Sequence, residues 1–449
     1  MRRNAIVTFA VLLGACDLDV PDLNNPGLDD LENNPTPAKI SAAATGLLIG
    51  DRTLVAAENG YVMQLGILGR EAYNFDAADP RYVNELLQGS LNAGSPFGGN
   101  FWPASYSNER NANILLHATD KLAVGLSDAD KAGIRGFAHT MQALDLLIVT
   151  NTHDTNGEVI ETDLPIDQLG AIVDRDAALA NIAMLLDSAV ADLNSGGDAF
   201  AFNLSAGYAG FDTPMTFLQF NRALRARVAV YQKDYNGALT ALTASFIDDT
   251  ATSDLDLGVY HVFGTSSGDS PNNLINPNIY AHPSLVTDAK TKAGGGPDDR
   301  LTRKVGMASK PGSAQGHSST YAFLLYTSPT SSVPIIRNEE LILIRAEAEI
   351  GKGDLVNAGK DLNLIRARSG GLANVAVTAA TAVDELLYNR RYSLMFEGGH
   401  RWIDVRRFDR ITDLPLDDPM NDVRNVRFPI PLNECNARPG EPACSLGSQ

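Results

Sequence analysis

Apolar side chains recur in this sequence at the spacing of an α-helix, and they do so in neighbouring pairs. Ile134, Phe137, Met141, Leu144 and Ile148 follow at steps of three and four, which puts them on one helical face. Ser127, with Asp130 three residues on, is a capping box just ahead of that face. Ala178, Ile182, Leu185, Ala189 and Leu193 make a second stripe. Thr213-Pro214 opens a third helix with Pro at its preferred first position, and Phe217, Phe220, Leu224, Val228 and Tyr231 line it. A turn at Lys233 to Asn236 leads to a further helix through Ala238 and Leu242. Near the other end, Leu341, Ile344 and Ala348 make one face and Leu355, Ala358, Leu362 and Ile365 the next. Gly351-Lys352-Gly353-Asp354 between them supplies a C-cap and then an N-cap. Helix, short turn, helix is the grammar of tetratricopeptide-like repeats, here with an irregular period. The expected fold class is mainly α, made of such helix pairs with long irregular loops and an inserted loop-rich subdomain.

That insertion is expected over residues 247–334, where Gly, Ser, Pro, Asn and Asp replace the helical pattern. A loop of this length inside a compact protein is usually functional or a subdomain. Gly89 to Pro103 and Asn151 to Pro165 are smaller stretches of the same kind.

The amino terminus reads as an address. Arg2 and Arg3 precede an apolar run from Ala5 to Leu13, too short to span a bilayer but suited to a secretory signal. Leu13-Gly14-Ala15-Cys16 resembles a bacterial lipobox, which makes 1–15 a lipoprotein signal peptide and Cys16 the lipidated first residue of the mature chain. The alternatives are an ordinary signal peptide or a buried first helix. Residues 16–37, acidic and rich in Pro and Asn, then read as a lipidated tether. Cleavage removes two Arg and moves the net charge from −18 to −20. Such a chain does not bind nucleic acid or an anionic membrane by charge, so its membrane contact is expected through the lipid alone. Cys435 and Cys444, nine positions apart in the Pro/Gly-rich tail, read as a disulfide worth about 2–3 kcal/mol in the chain-entropy model. Two free thiols or half a metal site are the alternatives, the second disfavoured because no His or further Cys lies nearby.

Catalytic signals are weak. Gly264-Thr265-Ser266-Ser267-Gly268 matches G-x-S-x-G but is followed by a Ser/Gly/Asp/Pro loop where a nucleophile elbow needs a helix. The seven His show no metal-ligand spacing, so no metal is assigned. No phosphate- or dinucleotide-binding glycine pattern appears, so no cofactor is assigned either. A carboxylate pair for glycoside hydrolysis stays open, but none stands out among the many Asp and Glu.

The carboxy-terminal third carries the most specific string. It runs through Asn338-Glu339-Glu340-Leu341, Arg345-Ala346-Glu347-Ala348-Glu349 and Leu362-Asn363-Leu364-Ile365-Arg366-Ala367-Arg368-Ser369-Gly370. It continues with Phe396-Glu397-Gly398-Gly399-His400-Arg401-Trp402-Ile403-Asp404-Val405-Arg406-Arg407 and closes with Phe428-Pro429-Ile430-Pro431. In that order it resembles the SusD/RagB family of outer-membrane lipoproteins. Upstream, Phe101-Trp102 to Tyr106 with Asn111 and Asn113, and Ile134-Arg135-Gly136-Phe137-Ala138, resemble two helices of the same family. The resemblance implies a SusD-like α-α superhelix, with a SusD-like N-terminal helical region at 38–246 and a RagB/SusD C-terminal region at 335–449. It implies a non-enzymatic lipoprotein, lipid-anchored on the outer membrane and facing the extracellular side. Such a protein captures a nutrient, with a glycan favoured, and delivers it to a SusC-like TonB-dependent barrel. A peptide-binding RagB-like protein, a lipid-anchored glycosidase and a helical scaffold of the envelope are the alternatives.

Glu397, Arg401, Trp402, Asp404 and Arg407 read as structural, with Arg–carboxylate pairs orienting the segment and Trp402 packing in the core. For the ligand, the first expected set is Tyr73, Asn74, Phe75, Asp76, Arg81 and Tyr82, which mixes aromatics with short polar groups. Tyr280, His282, Tyr321 and Tyr326 in the insertion form a second set. With only two Trp, both in motif positions that read as structural, any site must rest on a few Tyr and Phe.

Overall fold

A computed structural model describes residues 28–99, 101–165 and 167–449. The signal segment 1–15, Cys16 and the first part of the tether lie outside the described residues. Among the described residues the first helix is Leu28–Asn33, inside the stretch expected as tether, and Leu31 is buried there.

The capping signals hold at atomic level. Ser127 accepts from the Asp130 amide while the Asp130 side chain reaches back, and helix Asp128–His153 follows. Thr213 caps Pro214–Tyr231 in the same way, and Asp354 caps Leu355–Arg368. Gly353 has φ +79°, a left-handed turn that lets the chain reverse between Asn338–Gly351 and Leu355–Arg368.

Each long helix packs on the one before it. Phe101–Lys121 lies on Asp128–His153, then come Arg175–Ser195, Pro214–Tyr231 and Tyr235–Thr243. Asn338–Gly351 docks on the last two and carries Leu355–Arg368 and Ala382–Ser393. At Gly136 an added Cβ would stand 2.6 Å from Leu193, so that crossing needs a residue without one. The main core is an aromatic cluster of Phe137, Phe202, Tyr208, Phe217 and Phe220 walled by aliphatics. Full burial of each Phe contributes about 1.5–3 kcal/mol. In Arg175–Ser195 the fully buried position is Leu186 rather than Leu185, which is only half-buried.

Residues 247–334 hold more than loops. Gly258–His261 pairs with Val333–Arg337, Ile279–Ala281 with Ala72–Asn74, and Val305–Ala314 with His317–Phe323, all antiparallel. Their side chains join a second core with Leu65, Tyr73, Phe396, Trp402 and Phe428. The stretch is therefore interwoven with the chain on both sides of it. Among the described residues no helix is long and apolar enough to cross a membrane.

Most of the carboxy-terminal motif is buried and paired. Trp402 is fully buried and donates its Nε1 proton to the Asn425 carbonyl at 2.8 Å. Glu397 bridges Arg337 at 3.1 Å and Lys304 at 2.7 Å. Asp404 accepts from Arg390 at 2.6 Å and from Arg407 at 3.2 Å, and Arg407 also pairs with Glu347. Arg401 departs from the expectation: it is buried, but Nε and Nη1 find no partner among the described residues. Cys435 and Cys444 are disulfide-bonded and pack beside Trp102, Val159 and Ile430.

Candidate functional site

The two expected ligand sets do come together, but as core. Strand pairing puts Tyr73 opposite Tyr280, and Phe75 lies 5.0 Å from Tyr73 and 5.3 Å from Tyr280, ring to ring. Tyr73 is 1% exposed, and its hydroxyl donates to Asp417 Oδ2 at 2.6 Å. His282, also buried, holds the same oxygen at 2.8 Å. Burial would raise the Asp417 carboxyl, but these two hydrogen bonds and the imidazole hold it at about 2. The reason for burial is the hairpin: an added Cβ at Gly312 would stand 2.4 Å from Tyr280 and 2.8 Å from Phe75, so that backbone lies directly on the stack. Asn74 and Tyr82 are buried as well, Tyr82 against Phe97, and Tyr326 spends its hydroxyl on the Phe396 carbonyl. Of the two sets, Phe75, Asp76 and Tyr321 are half-buried and Arg81 is exposed, its guanidinium held by Asp79. His317, Asp417 and Asp422 converge at metal-ligand distances, yet their atoms are engaged with one another and with Tyr73 and His282. Ser266 sits in an exposed loop with no helix after it.

An open hollow with a volume of about 700 Å³ lies elsewhere. Helix Phe101–Lys121 turns Trp102, Tyr106, Arg110, Asn113 and His117 toward it. Steps of four, four, three and four put these on one face. The opposite wall comes from residues 159–165 and 168–170, which strand pairing of Glu158–Val159 with Ile172–Val173 pins at their base. The third wall is Glu434 and Arg438 beside the disulfide. Arg438 ties the walls together, donating to Glu434 at 2.6 Å and to the Gly170 carbonyl at 2.5 Å.

Tyr106 is held with unusual completeness. Its hydroxyl donates to the Val159 carbonyl at 2.8 Å and accepts the Val159 amide at 2.7 Å. Its ring packs at 4.8 Å on Trp102. With the hydroxyl committed both ways, what the residue offers a ligand is ring surface at a fixed angle. Around it stand groups that read hydroxyls: Asn113, bonded to Thr162 at 3.1 Å, and His117, bonded to Asp163 at 2.9 Å. Below the floor, Glu109 accepts from Gln142 at 3.2 Å and Thr162 at 3.3 Å, and Gln142 also donates to Asn113 at 2.8 Å. Burial pushes the Glu109 carboxyl up to about 8, so it stays a neutral acid at pH 7.

None of these residues was in the expected ligand sets. The helix face was legible, since Trp102, Tyr106 and Asn113 were already singled out as a motif. The two short Pro/Gly-rich stretches at 89–103 and 151–165 also marked the walls.

Comparisons with known proteins bear on the whole. A family model described as the SusD family matches residues 326–440. Comparison with curated proteins gives no match. Among solved structures, a SusD superfamily protein from Bacteroides vulgatus superposes with TM-score 0.69 at 16% identity, covering 92% of this chain and 99% of that one. A SusD-like carbohydrate binding protein from Bacteroides fragilis gives 0.70 at 16% identity over 91% and 99% of the two chains. Surface glycan-binding protein A from Bacteroides thetaiotaomicron, in complex with laminarihexaose, gives 0.69 at 14% over 92% and 99%. At such identities the likeness establishes the fold.

Proposed function

Because this chain belongs to the SusD/RagB family, we propose that it is a glycan-capturing protein whose site is the hollow over helix Phe101–Lys121. The observation that carries this is Tyr106, an aromatic platform with its hydroxyl fixed by Val159 and its ring supported by Trp102. A sugar ring stacks its apolar C–H face on such a surface while placed polar groups read its hydroxyls. Arg110, Asn113, His117 and Asp163 stand where those hydroxyls would fall. The carbohydrate named for the Bacteroides fragilis structure and the laminarihexaose of the Bacteroides thetaiotaomicron complex support the choice of ligand class.

The test is calorimetric titration with laminarihexaose and a panel of other neutral oligosaccharides. Arg110→Ala, an exposed change, weakens binding about tenfold, the loss of one charged hydrogen bond. Arg81→Ala, at the surface end of the other candidate set, leaves it unchanged. The reverse pattern moves the site to Phe75, Asp76, Arg81 and Tyr321, and binding of short peptides instead of sugars turns the reading to peptide uptake.

The lipid at Cys16 would hold the protein on the outer membrane, and a SusC-like TonB-dependent barrel would receive the ligand. Detergent extraction of the native protein should bring that barrel with it, and repeated isolation of the lipoprotein alone would remove this part.

A further inference from the structure

A second hollow of about 360 Å³ opens beside the first, between residues 93–99 and the start of helix Leu432–Ala437. Trp102, Pro103 and Glu434 line both, so the two meet along a shared apolar saddle. A pocket for one small molecule occupies about 300–1,000 Å³. The first hollow, at about 700 Å³, falls inside that range, and the second adds a space within the same range at its lower end.

The two differ in charge. The first is lined by Glu32, Glu161, Asp163 and Glu434 against Arg110 and Arg438. Arg438 is already paired with Glu434, and His117 with Asp163. The second is lined by small, apolar and amide residues such as Gly94, Pro96, Leu432 and Asn433, with Glu434 its one charged lining residue among those described. Along this path Arg110 is the one cation among the described residues not already paired, it stands against Glu32, Glu161, Asp163 and Glu434, and the whole chain carries −18. A polyanion is repelled both at a distance and on contact.

We propose that the two hollows form one groove, and that its ligand is an uncharged, extended glycan chain crossing the Trp102–Pro103 saddle. This rests on the glycan reading above and adds length and charge to it. The chain lays one segment on the Tyr106 platform and the next in the second hollow. Selectivity follows: short fragments bind through the first hollow alone, and uronate or sulfated chains are refused.

The test uses a series of β-1,3-gluco-oligosaccharides from disaccharide to octasaccharide, with an oligouronate of matching length. Wild-type affinity rises at least about tenfold from trisaccharide to octasaccharide. Asn433→Trp, which touches only the second hollow, keeps trisaccharide binding and removes that gain. The oligouronate does not bind. An affinity that stays level along the wild-type series overturns the groove while leaving the first hollow as a glycan site. So does octasaccharide binding unaffected by Asn433→Trp in a protein that melts normally. Preference for the oligouronate overturns the charge argument. Failure of every oligosaccharide to bind overturns the glycan reading itself, and this inference with it.

Discussion

The amino-terminal helical layer and the carboxy-terminal motif region both bury acids, in opposite ways. In the first, Glu109, Asp145 and Glu158 lie between helices with no ion pair among the described residues, and Asp51 faces only the imidazole of His261 at 3.4 Å. Burial pushes Glu109 and Asp51 up to about 8 and raises Asp145 and Glu158 well above the ordinary range. His261 is driven down to about 3 by burial and by Arg52, so it brings no charge to Asp51. In the second region nearly every buried acid has a cation: Glu340 with Arg227 at 2.7 Å, Glu339 with Arg337 at 2.5 Å, Asp404 with Arg390 at 2.6 Å. Burial would raise Glu339 and Glu340 too, but the cations overcome it and bring both to about 2. One region is held by neutral acids that behave as amides, the other by charges that cannot be separated. The family motif lies in the second region, and the comparison explains why that string is so specific: most of its Arg and Glu, Arg401 apart, are held by partners that geometry sets.

Breaking one pair should therefore cost most. Arg337→Met leaves Glu339 without its main cation and Glu397 with Lys304 alone, and should lower urea-measured stability by about 3–5 kcal/mol. Replacing Arg337, Glu339 and Glu397 together by apolar residues of similar volume should recover most of that, because no stranded charge remains. A loss below about 1 kcal/mol for Arg337→Met would erase the distinction between the two regions.

This distinction was only partly legible in the sequence. Helix ends were, because capping is local: Ser127–Asp130 and Thr213-Pro214 name their own positions. The role of Trp402 was, because a Trp beside Phe396 in a dense motif has few other uses. The burial of Glu347 was not legible, because its partners Arg407 and Arg390 lie 60 and 43 positions away. Most aromatics of the two ligand sets are covered for a related reason. Tyr73 and Tyr280 are as aromatic as a sugar platform, but groups distant in sequence cover them, the hairpin backbone at Gly312 over Tyr280 and the rings of His282 and His317 against Tyr73. Tyr106 shows the converse. Its ring belongs to a family-like helix motif, and two hydrogen bonds to Val159, 53 positions on, hold the half-buried ring at a fixed orientation on the hollow's wall.

The smaller effect separates the regions by pH. Glu109 keeps its proton in the fold up to about 8, whereas the unfolded chain releases it near 4.5. The stability tied to that proton is intact below pH 4.5 and is lost as pH rises toward 8. Glu339 and Glu340 run the other way: their contribution is present above 4.5 and is lost as pH falls toward 2. The wild-type profile should thus peak near about pH 5, with an acid limb set by the paired carboxylates and an alkaline limb set by the lone ones. Glu109→Gln keeps the acceptor for Thr162 and Gln142 and has no proton to lose. At pH 4 it should melt like the wild type, and at pH 8 it should be more stable by on the order of 2–4 kcal/mol. The acid limb should not move, since Glu339 and Glu340 are untouched. Equal effects at both pH values would mean that Glu109 is ionised in the fold, and that a cation or water path reaches it from the hollow above.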